Sequence, residues 1–444
     1  MDNLESSCIP DNGNCSDSFK IRIVFESILI GVGVGFIVSL YRLCSKYAEK
    51  ISLNIYNFMA NHLEYVILGI LVFAIIGYIV GYSVEKNPMI SGSGIPQIEG
   101  CLKGRLKIIH SFKILVSKFV NGVLAMGAGL SLGIEGPSIQ LGGSFAHAIS
   151  RRFKLSKKEF VYLYSTGAGA GLAAAFNAPF AGVMFILEEV HKSFSPVLFI
   201  TAVAACVSSD LVTWIFFGET HTLIVDKVLN MPANYYISLI VLGIVIGLSG
   251  VIYNKGLLKT IDIYSNINTK LRYKMIIPFM LAIVFGMFLP QVLGGGDKLI
   301  NSILASGLTI KLAIILLIGK YIFSLISFAP GTPGGILFPI LTLGGLVGII
   351  FGKVLVLMGA IDTSYLNNFI LLAMAGMFTS VVRAPITGFI LVFEMSGALT
   401  QLGPIIVVCG VAYLVANLLN CPPIYDSLLE NKVKTYDKIK ESSK

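Results

Sequence analysis

The sequence predicts an all-α protein that crosses a membrane many times. Its two repeats would have inverted topology, with many tilted, short and broken helices. Three observations predict this fold: the composition, the spacing of the apolar stretches, and glycine–proline motifs that recur in the second half. Of the 444 residues, 55% are hydrophobic and 13% are charged. A soluble protein has roughly 25% charged residues, so a soluble domain with a single anchor is excluded.

Seven stretches are apolar, and several of them have the length of a membrane-spanning helix, which needs about 20 apolar residues. They are Ile23 to Tyr41, Tyr65 to Tyr82, Val197 to Phe217, Ile237 to Tyr253, Met275 to Leu289, Leu312 to Phe328 and Pro404 to Leu419. Four further stretches are short or interrupted, which is typical of helices that stop midway through a membrane and line a cavity. These are Val161 to Phe176, Ala178 to Leu187, Phe369 to Phe378 and Ala384 to Phe393.

The order of these segments predicts five regions. Residues 1–20 would be an N-terminal cytoplasmic tail, 21–217 the first transmembrane repeat, 218–235 an extracellular loop, 236–420 the second, inverted repeat, and 421–444 a last short helix with a cytoplasmic tail. Residues 1–20 are polar and acidic, so they do not have the pattern of a cleavable signal peptide. We expect the first helix to act as the insertion signal.

Neither the net charge nor the cysteines indicate a binding site. The formal net charge is +9, and we attribute the excess to loops on the cytoplasmic side rather than to nucleic-acid binding. The seven cysteines are scattered; even Cys8 and Cys15 are too isolated for a zinc site, so free thiols are expected. The five histidines share no ligand spacing, so we predict no metal site and no cofactor.

An internal duplication follows from matched motifs. Pro137 and Leu141-Gly142-Gly143 recur as Pro339 and Leu343-Gly344-Gly345, 202 positions later. Farther along, Ala178-Pro179 matches Ala384-Pro385 at an offset of 206, which implies a short length change in a loop. Glu188 falls on Glu394 at that same offset, which favours a structural role for Glu188. Matched blocks in one order predict a duplication.

Charge suggests that the two halves have opposite orientations. Two basic segments of the first half are Lys103 to Lys118 and Arg151 to Lys158, whereas their counterparts in the second half are poor in charge. Loops that are basic in one half and depleted in the other are expected on opposite sides of a membrane. The basic linker near residues 255–274 and the Lys-rich tail would then be cytoplasmic. Arg42, Lys46 and Lys50 conflict with this scheme, because they follow the first helix and would lie outside.

One carboxylate occupies an apolar, glycine-rich stretch. Glu135 is the only charged residue between Ala125 and Leu141, and it is flanked by Gly133, Ile134, Gly136 and Pro137. An ionisable residue in a membrane is a functional-site hypothesis by default. The glycines and the proline break a membrane helix, and broken helices expose N–H groups that can hold an anion. A carboxylate beside an anion site can compete with the anion and carry a proton, which is the chemistry of anion/proton exchange.

Four motifs together resemble the CLC family of chloride channels and chloride/proton antiporters. They are Gly92-Ser93-Gly94-Ile95-Pro96, Gly133-Ile134-Glu135-Gly136-Pro137, Gly335-Ile336-Leu337-Phe338-Pro339, and Tyr425 after Pro422-Pro423. The resemblance runs from about residue 21 to residue 429. The short tail suggests a bacterial-type member without cytoplasmic nucleotide-binding (CBS) domains.

The resemblance implies a role for each motif. Glu135 would be the gating glutamate and Glu189 the internal proton-transfer glutamate. The anion would bind the hydroxyls of Ser93 and Tyr425, beside Gly94, and the backbone amides of Ile336 and Leu337. Gly133, Ile134, Gly136 and Pro137 would form the loop of the outer site. Independently of the family, a chloride ion favours hydroxyls, amides and helix ends as donors.

The resemblance also implies chloride and protons as the transported ions, an inner-membrane location, lipid contact and a homodimer. The dimer interface would involve residues near 177–190, 197–217, 384–398 and 402–419. Two positions depart from the family pattern. Ile134 stands where many members carry a basic residue, and Leu337 stands where many carry Phe. The first change should weaken anion attraction on the outer side and alter how strongly Glu135 holds its proton.

Two alternatives are open. A passive chloride channel would have the same fold, because channel and antiporter differ in whether the anion and proton steps are coupled. An intramembrane hydrolase would use Ser93 as nucleophile with a histidine base. We disfavour the hydrolase, because Gly-Ser-Gly-Ile-Pro has the pattern of a helix start, and we expect no enzymatic activity.

Overall fold

The computed structural model describes residues 16–153, 155–219, 221–225, 228–305, 307–398 and 401–442, with side chains up to residue 434. Most of these residues are helical, and the only β-type pairing among them is one isolated antiparallel bridge between Gly133 and Gly335. Residues 1–15 of the predicted tail, including Cys8 and Cys15, lie outside the described residues. Residues 17–20 of that tail belong to the first helix, so the predicted tail is too long at its C-terminal end.

The described residues of the first half form eight α-helices. They are α1 (Asp17–Asn61), α2 (Val66–Lys86), α3 (Ile95–Leu102), α4 (Ser111–Gly127), α5 (Glu135–Arg152), α6 (Lys157–Phe176), α7 (Pro179–Phe185) and α8 (Pro196–Phe217). A π-helical turn over Ile186–Val190 continues α7. Helix α1 has 45 residues, because it continues through the polar residues that follow Tyr41.

The second half repeats this order. Its helices are α9 (Tyr236–Asn266), α10 (Leu271–Lys274), α11 (Ile276–Phe288), α12 (Asp297–Leu304), α13 (Ile310–Phe328), α14 (Leu337–Leu357), α15 (Leu366–Val382), α16 (Pro385–Ser396) and α17 (Leu402–Leu418), followed by α18 (Ile424–Ser442). Short 3₁₀ turns cover Leu63–Tyr65, Pro88–Ile90, Ala233–Tyr235, Pro290–Val292 and Thr363–Tyr365. The last helix, predicted to be short, spans 19 residues.

Eight helical segments of the described chain are long and apolar enough to cross a membrane. Their many exposed leucine, isoleucine and phenylalanine side chains are consistent with contact to lipid. All seven apolar stretches lie in helices to within one residue at either end. Two of the four stretches predicted to stop midway were wrong in their bounds, because α6 and α15 extend to 20 and 17 residues. The added residues include polar ones, such as Lys157 and Lys158 in α6 and Thr379 and Ser380 in α15, so hydrophobicity alone understates the length of these helices.

Backbone contacts between the halves follow a two-fold pattern. Gly92 donates its N–H to Gly331 at 2.9 Å, and Gly294 donates to Gly129 at 3.0 Å. Gly294 lies 202 positions after Gly92, and Gly331 lies 202 positions after Gly129. The donor belongs to the first half in one bond and to the second half in the other. The Gly133–Gly335 bridge joins another equivalent pair and is antiparallel. This exchange is what an inverted repeat requires.

Two buried lysines are equivalent under the same relation. Lys118 donates to the carbonyls of Ile90 at 2.9 Å and Gly92 at 2.5 Å. Lys320 donates to those of Val292 at 3.1 Å and Gly294 at 2.7 Å. Each ammonium group therefore satisfies the carbonyls of the turn that precedes a short helix, α3 or α12. Lys118 is a buried residue of α4, so its inclusion among the loop charges was wrong.

Small residues let the central helices approach closely. A Cβ placed on Gly142 of α5 would lie 2.0 Å from the carbonyl oxygen of Gly167 in α6. In the second half, a Cβ on Gly344 would lie 2.7 Å from the oxygen of Ala373 in α15. A side chain at either glycine would push the helices apart, and such small-residue contacts are typical of membrane helices. They hold α5 and α14, whose first residues form the site, in the centre of the protein.

Candidate anion and proton site

Four helices begin around one buried region. Glu135 is the first residue of α5, Leu337 is the first of α14, Tyr425 is the second of α18, and Ser93 lies two residues before α3. The first N–H groups of a helix have no partner within the helix, and the helix dipole makes that end partly positive. Pro137 and Pro339 fit in the first turns of their helices because no N–H is needed there. Helix starts of this kind favour a bound anion.

Glycines bring these helix starts together. A Cβ on Gly136 would lie 2.7 Å from the Cβ of Ser93, and a Cβ on Gly335 would lie 3.1 Å from Oε2 of Glu135. Gly133 and Gly335 exchange backbone hydrogen bonds of 2.8 and 2.7 Å. Gly94 has a φ of +99°, which glycine adopts without strain. The structure therefore brings Ser93, Glu135 and the start of α14 into direct proximity.

The Glu135 side chain is fully buried and has no conventional partner. Neither carboxylate oxygen accepts a well-formed hydrogen bond from the described residues. Its electrostatic neighbours include the backbone N–H groups of Phe338 and Ile134, and its own. The carboxylate therefore lies at the N-terminal ends of α5 and α14, where an anion would bind. A buried carboxylate without a strong partner is costly, which indicates function rather than packing.

The two predicted hydroxyl ligands are buried near this position. Ser93 Oγ accepts a hydrogen bond from the N–H of Ile95 at 3.3 Å, so its own proton is available for another acceptor. The Tyr425 hydroxyl has no hydrogen-bond partner among the described residues. Tyr425 also lies within electrostatic range of both Glu135 and Glu189. These neutral donors match the chemistry that a halide prefers.

Glu189 lies in the π-helical turn that follows α7. It is 3% exposed, and its Oε1 has no hydrogen-bond partner in the described chain. Its charged neighbours are Lys192, Glu99, Asp426 and Glu188. Lys192 binds Asp426 at 2.7 Å and lies 4.0 Å from Glu99. Because Asp426 follows Tyr425, Glu189 is adjacent to the start of α18.

Comparison with known proteins identifies the family. A family model described as voltage gated chloride channel matches residues 75–417. The H⁺/Cl⁻ exchange transporter ClcA of Salmonella agona (strain SL483) is 31% identical over 435 residues, which cover 95% of this chain and 91% of that protein. The chain belongs to the CLC family of voltage-gated chloride channels. The ClcA transporter of Vibrio parahaemolyticus serotype O3:K6 is 32% identical over 439 residues, covering 96% of this chain and 92% of that protein.

Solved CLC structures have the same fold. A slow cyanobacterial Cl⁻/H⁺ antiporter superposes with a TM-score of 0.87 at 28% identity, covering 93% of this chain and 98% of that chain. A CLC-type fluoride/proton antiporter gives a TM-score of 0.74 at 21% identity, with coverages of 93% and 98%. The second likeness shows the fold alone. The all-α, multi-pass and CLC-like architecture predicted from the sequence is therefore confirmed.

Both departures from the CLC pattern are visible in the structure. Ile134 is partly buried and packs against the apolar core, so no side-chain cation stands beside Glu135 in the chain. Leu337 is fully buried at the start of α14. A cation does lie within electrostatic range of Glu135, because Lys320 interacts with it from α13. In this CLC protein, the positive charge near Glu135 thus comes from the opposite half.

Sequence reasoning missed three contributors to the CLC site. The N–H of Phe338 interacts with Glu135, although only the amides of Ile336 and Leu337 were predicted as donors. Lys320 could have been found from Lys118, because the two are 202 residues apart. Asp297 also interacts with Glu135, and no motif signals it.

The other readings of individual residues have no geometric support. No histidine lies within hydrogen-bond reach of Ser93 in the described residues, and the Ser93 hydroxyl accepts instead from the N–H of Ile95. His191 instead contacts Ser165 at 2.7 Å. No group of three His, Cys, Asp or Glu side chains in the described part of the chain could hold a metal ion.

Proposed function

We propose that this CLC protein exchanges chloride for protons across the membrane, with Glu135 alternating with chloride in the anion pathway. The observation that carries the proposal is the position of the Glu135 carboxylate, which is buried at the N-terminal ends of α5 and α14, beside backbone N–H groups and without a side-chain donor among the described residues. The matching ClcA relatives are named H⁺/Cl⁻ exchange transporters, which favours exchange over a passive channel.

The chemistry follows from competition for one electrostatic position. Ionised Glu135 occupies the helix ends and excludes chloride, because both are monovalent anions attracted by the same dipoles. Protonation removes its charge, so chloride can replace the carboxylate. The displaced glutamic acid then exposes its proton to one side of the membrane. Each exchange of carboxylate for chloride therefore couples the movement of an anion to that of a proton.

We propose that Ser93, Tyr425 and the amides of Ile336 and Leu337 hold the central chloride. Gly94 permits the turn that presents Ser93, and Gly133, Ile134, Gly136 and Pro137 shape the outer approach. Hydroxyl and amide donors select an anion without holding it too tightly, which transport requires. No cofactor is needed beyond the transported ions.

Glu189 would pass protons between the cytoplasm and Glu135. It is buried beside Tyr425 and next to charged residues at the base of α18. A buried carboxylate with an unpaired oxygen can take up and release a proton through a bound water. We place α18 and the basic segments on the cytoplasmic side, because basic segments are retained there.

We also propose that the protein acts as a homodimer in the inner membrane, in contact with lipid. The segments expected at the interface carry exposed apolar side chains, including Ile200, Leu211, Ile406 and Leu414. Such a surface is compatible with a second copy or with lipid, so cross-linking in native membranes distinguishes the two. In the Leu414→Cys variant, a disulfide that joins two copies of the chain would support the dimer.

The decisive experiment measures the reversal potential of purified protein in liposomes under crossed chloride and proton gradients. An exchanger shows a reversal potential that moves when only the pH gradient changes. A passive channel follows the chloride gradient alone, and this outcome would refute coupled exchange. Liposomes without protein give the background leak of each ion.

A further inference from the structure

The turn before α3 is held by side chains from three helices of the first half. Lys118 of α4 binds the carbonyls of the residues on either side of Ser91. Gln97 of α3 donates its side-chain amide to the Ser91 carbonyl at 2.7 Å and to the Met89 carbonyl at 3.1 Å. Gln140 of α5 also donates to the Met89 carbonyl, at 2.7 Å. The turn is therefore fixed to the body of the first half.

A fourth side chain reaches the same turn from the last helix. Lys432 of α18 donates from its ammonium group to the Ser91 carbonyl at 3.0 Å and to the Ser91 hydroxyl at 2.5 Å. The two residues are 341 positions apart, and both hydrogen bonds are partly buried. Hydrogen bonds from a charged donor are stronger than neutral ones. This contact therefore ties α18 to the turn that leads to Ser93.

Lys432 lies on the same face of α18 as Tyr425. The two residues are seven positions apart, which is almost two full helical turns. Their side chains therefore leave the helix in nearly the same direction, about 10 Å apart along its axis. Ser93 lies two residues after Ser91. One proposed hydroxyl ligand thus belongs to the turn and the other to the helix, and the Lys432–Ser91 contact joins these two elements.

Two other polar links between α18 and the first half are ion pairs with exposed members. Arg105 binds Glu430 at 2.5 Å, with side chains that are 48% and 56% exposed. Lys192 binds Asp426 at 2.7 Å. Exposed ion pairs contribute little, because water and salt screen them, and packing of the buried Leu429 side chain gives attraction without fixing a direction. The directional contact that reaches the turn itself is the one made by the lysine of α18.

The internal duplication does not account for this contact. The turn before α12 is equivalent to the turn before α3, and Lys320 binds its carbonyls as Lys118 binds those of the first half. At the position of Ser91, however, the second half has Leu293, which offers no hydroxyl. The serine that Lys432 binds is therefore particular to the turn of the proposed anion site.

We propose that Lys432 is a positioning residue for the anion site: by binding Ser91, it sets the distance between the Ser93 and Tyr425 hydroxyls so that one chloride ion contacts both. This rests on the proposed anion site. Because the turn is already fixed to the first half, the contact holds α18 in place rather than the turn. Donors that are held in position bind an ion more tightly than mobile ones, because less freedom is lost on binding.

The test measures chloride binding to the purified full-length protein by isothermal titration calorimetry. Lys432→Met keeps the length of the side chain and removes the ammonium group, so the Kd for chloride should rise about threefold or more. Ser91→Ala removes the hydroxyl acceptor but keeps the carbonyl, so a smaller rise is expected. Lys434→Met is the matched control, because Lys434 is an exposed lysine of the same helix. Glu430→Gln breaks an exposed link of α18, and both controls should bind chloride like the native protein.

A double-mutant cycle separates positioning from general stability. Tyr425→Phe should raise the Kd for chloride about 2- to 10-fold in the native background. In the Lys432→Met background it should have a much smaller effect, because the hydroxyl is no longer in place. Lys432→Arg retains a charged donor and should restore most of the chloride affinity and most of the effect of Tyr425→Phe. If the two substitutions act independently on Kd, the lysine only stabilises the fold, and the inference is overturned.

The remaining outcomes distinguish this inference from the proposed function. An unchanged Kd in a folded Lys432→Met protein would overturn the inference and leave the exchange function intact. If the native protein binds no chloride, or if Ser93→Ala and Tyr425→Phe leave its Kd unchanged, both proposals fall. Melting temperatures in detergent show whether each variant is folded. If Lys432→Met does not fold, Lys432→Gln replaces it, with the same expected rise in Kd.

Discussion

Glu188 caps the helix that carries Glu394, and Glu394 caps the helix that carries Glu188. The Glu188 carboxylate accepts hydrogen bonds from the N–H groups of Ile386 at 3.0 Å and Thr387 at 2.7 Å. The Glu394 carboxylate accepts from Phe180 at 2.9 Å and Ala181 at 2.7 Å. The free N–H groups at the start of each short helix are therefore satisfied by a carboxylate from the end of the other helix. These hydrogen bonds join the two halves beside Glu189.

Removal of either cap should destabilise the protein. Glu188→Gln and Glu394→Gln each replace a charged acceptor at a helix start with a neutral one, at a cost of about 0.5–2 kcal/mol. Both variants should melt at lower temperature in detergent than the native protein. Glu64→Gln, an exposed carboxylate in the loop after α1, is the control and should not change the melting temperature. Equal melting temperatures for all four proteins would show that the caps contribute little.

Glu135→Gln should abolish proton coupling while chloride still passes. Glutamine has nearly the same shape but cannot carry a proton or compete as an anion. Chloride flux and proton flux should be measured in the same liposomes, so that loss of one is seen against persistence of the other. Proton movement driven uphill by a chloride gradient in this variant would remove Glu135 from the proton pathway.

Glu189→Gln should stop proton transport. Chloride should still move, and Glu135 should still control that movement. Its carboxylate is buried and has an unpaired oxygen, whereas the neighbouring Glu188 is bound by helix N–H groups. Glu188→Gln is therefore a matched comparison, with lower stability but retained coupling. If Glu189→Gln retains full coupling, the carboxylate has a structural role.

Ser93 and Tyr425 should bind one halide together, although they are 332 residues apart. Crystals soaked in bromide should show an anomalous peak within hydrogen-bonding distance of both hydroxyls. Ser93→Ala and Tyr425→Phe each remove one neutral donor, worth about 0.5–1.5 kcal/mol, so chloride affinity should fall about 2- to 10-fold. A bromide peak far from both side chains would exclude them from the site.

Ile134→Arg should strengthen anion binding at the outer site and move the acid-activated limb of transport to lower pH. A cation beside Glu135 favours its ionised form, so more acid is needed to protonate it. Ile134→Gln, which adds polarity without charge, is the control. A limb that moves to higher pH, or does not move in a folded protein, would mean that residue 134 faces away from Glu135.

The motifs of the site could be predicted because their conformation is encoded locally. Glycine and proline next to Glu135 and Leu337 determine where helices start, whatever surrounds them. The duplication was visible for the same reason. Arg42 shows the opposite case: it was expected in a loop, but α1 continues through it and its side chain binds Ala174 and Asn177 across the fold.

The contributions of Lys320 and Asp297 could not be predicted from local sequence. Both act on Glu135 only because the second half folds back against the first. The repeat locates Lys320 from Lys118 but does not indicate that Lys320 faces Glu135. The amide of Phe338 was missed because a backbone donor carries no residue-type signal. Charge arrangement around a site thus depends on tertiary packing, whereas the helix starts that form it depend on the residues themselves.

The mutual hydrogen bonds of Gly133 and Gly335 restrict how this protein can move. Many transporters open by rocking one half against the other, but here such a hinge motion would break both bonds beside Glu135, together with the Gly92–Gly331 and Gly129–Gly294 pairs. A rocking motion of the two halves would therefore cost four backbone hydrogen bonds next to the site. For the proposed exchange, rotation of the Glu135 side chain alone would leave these bonds intact, so it is the less costly motion.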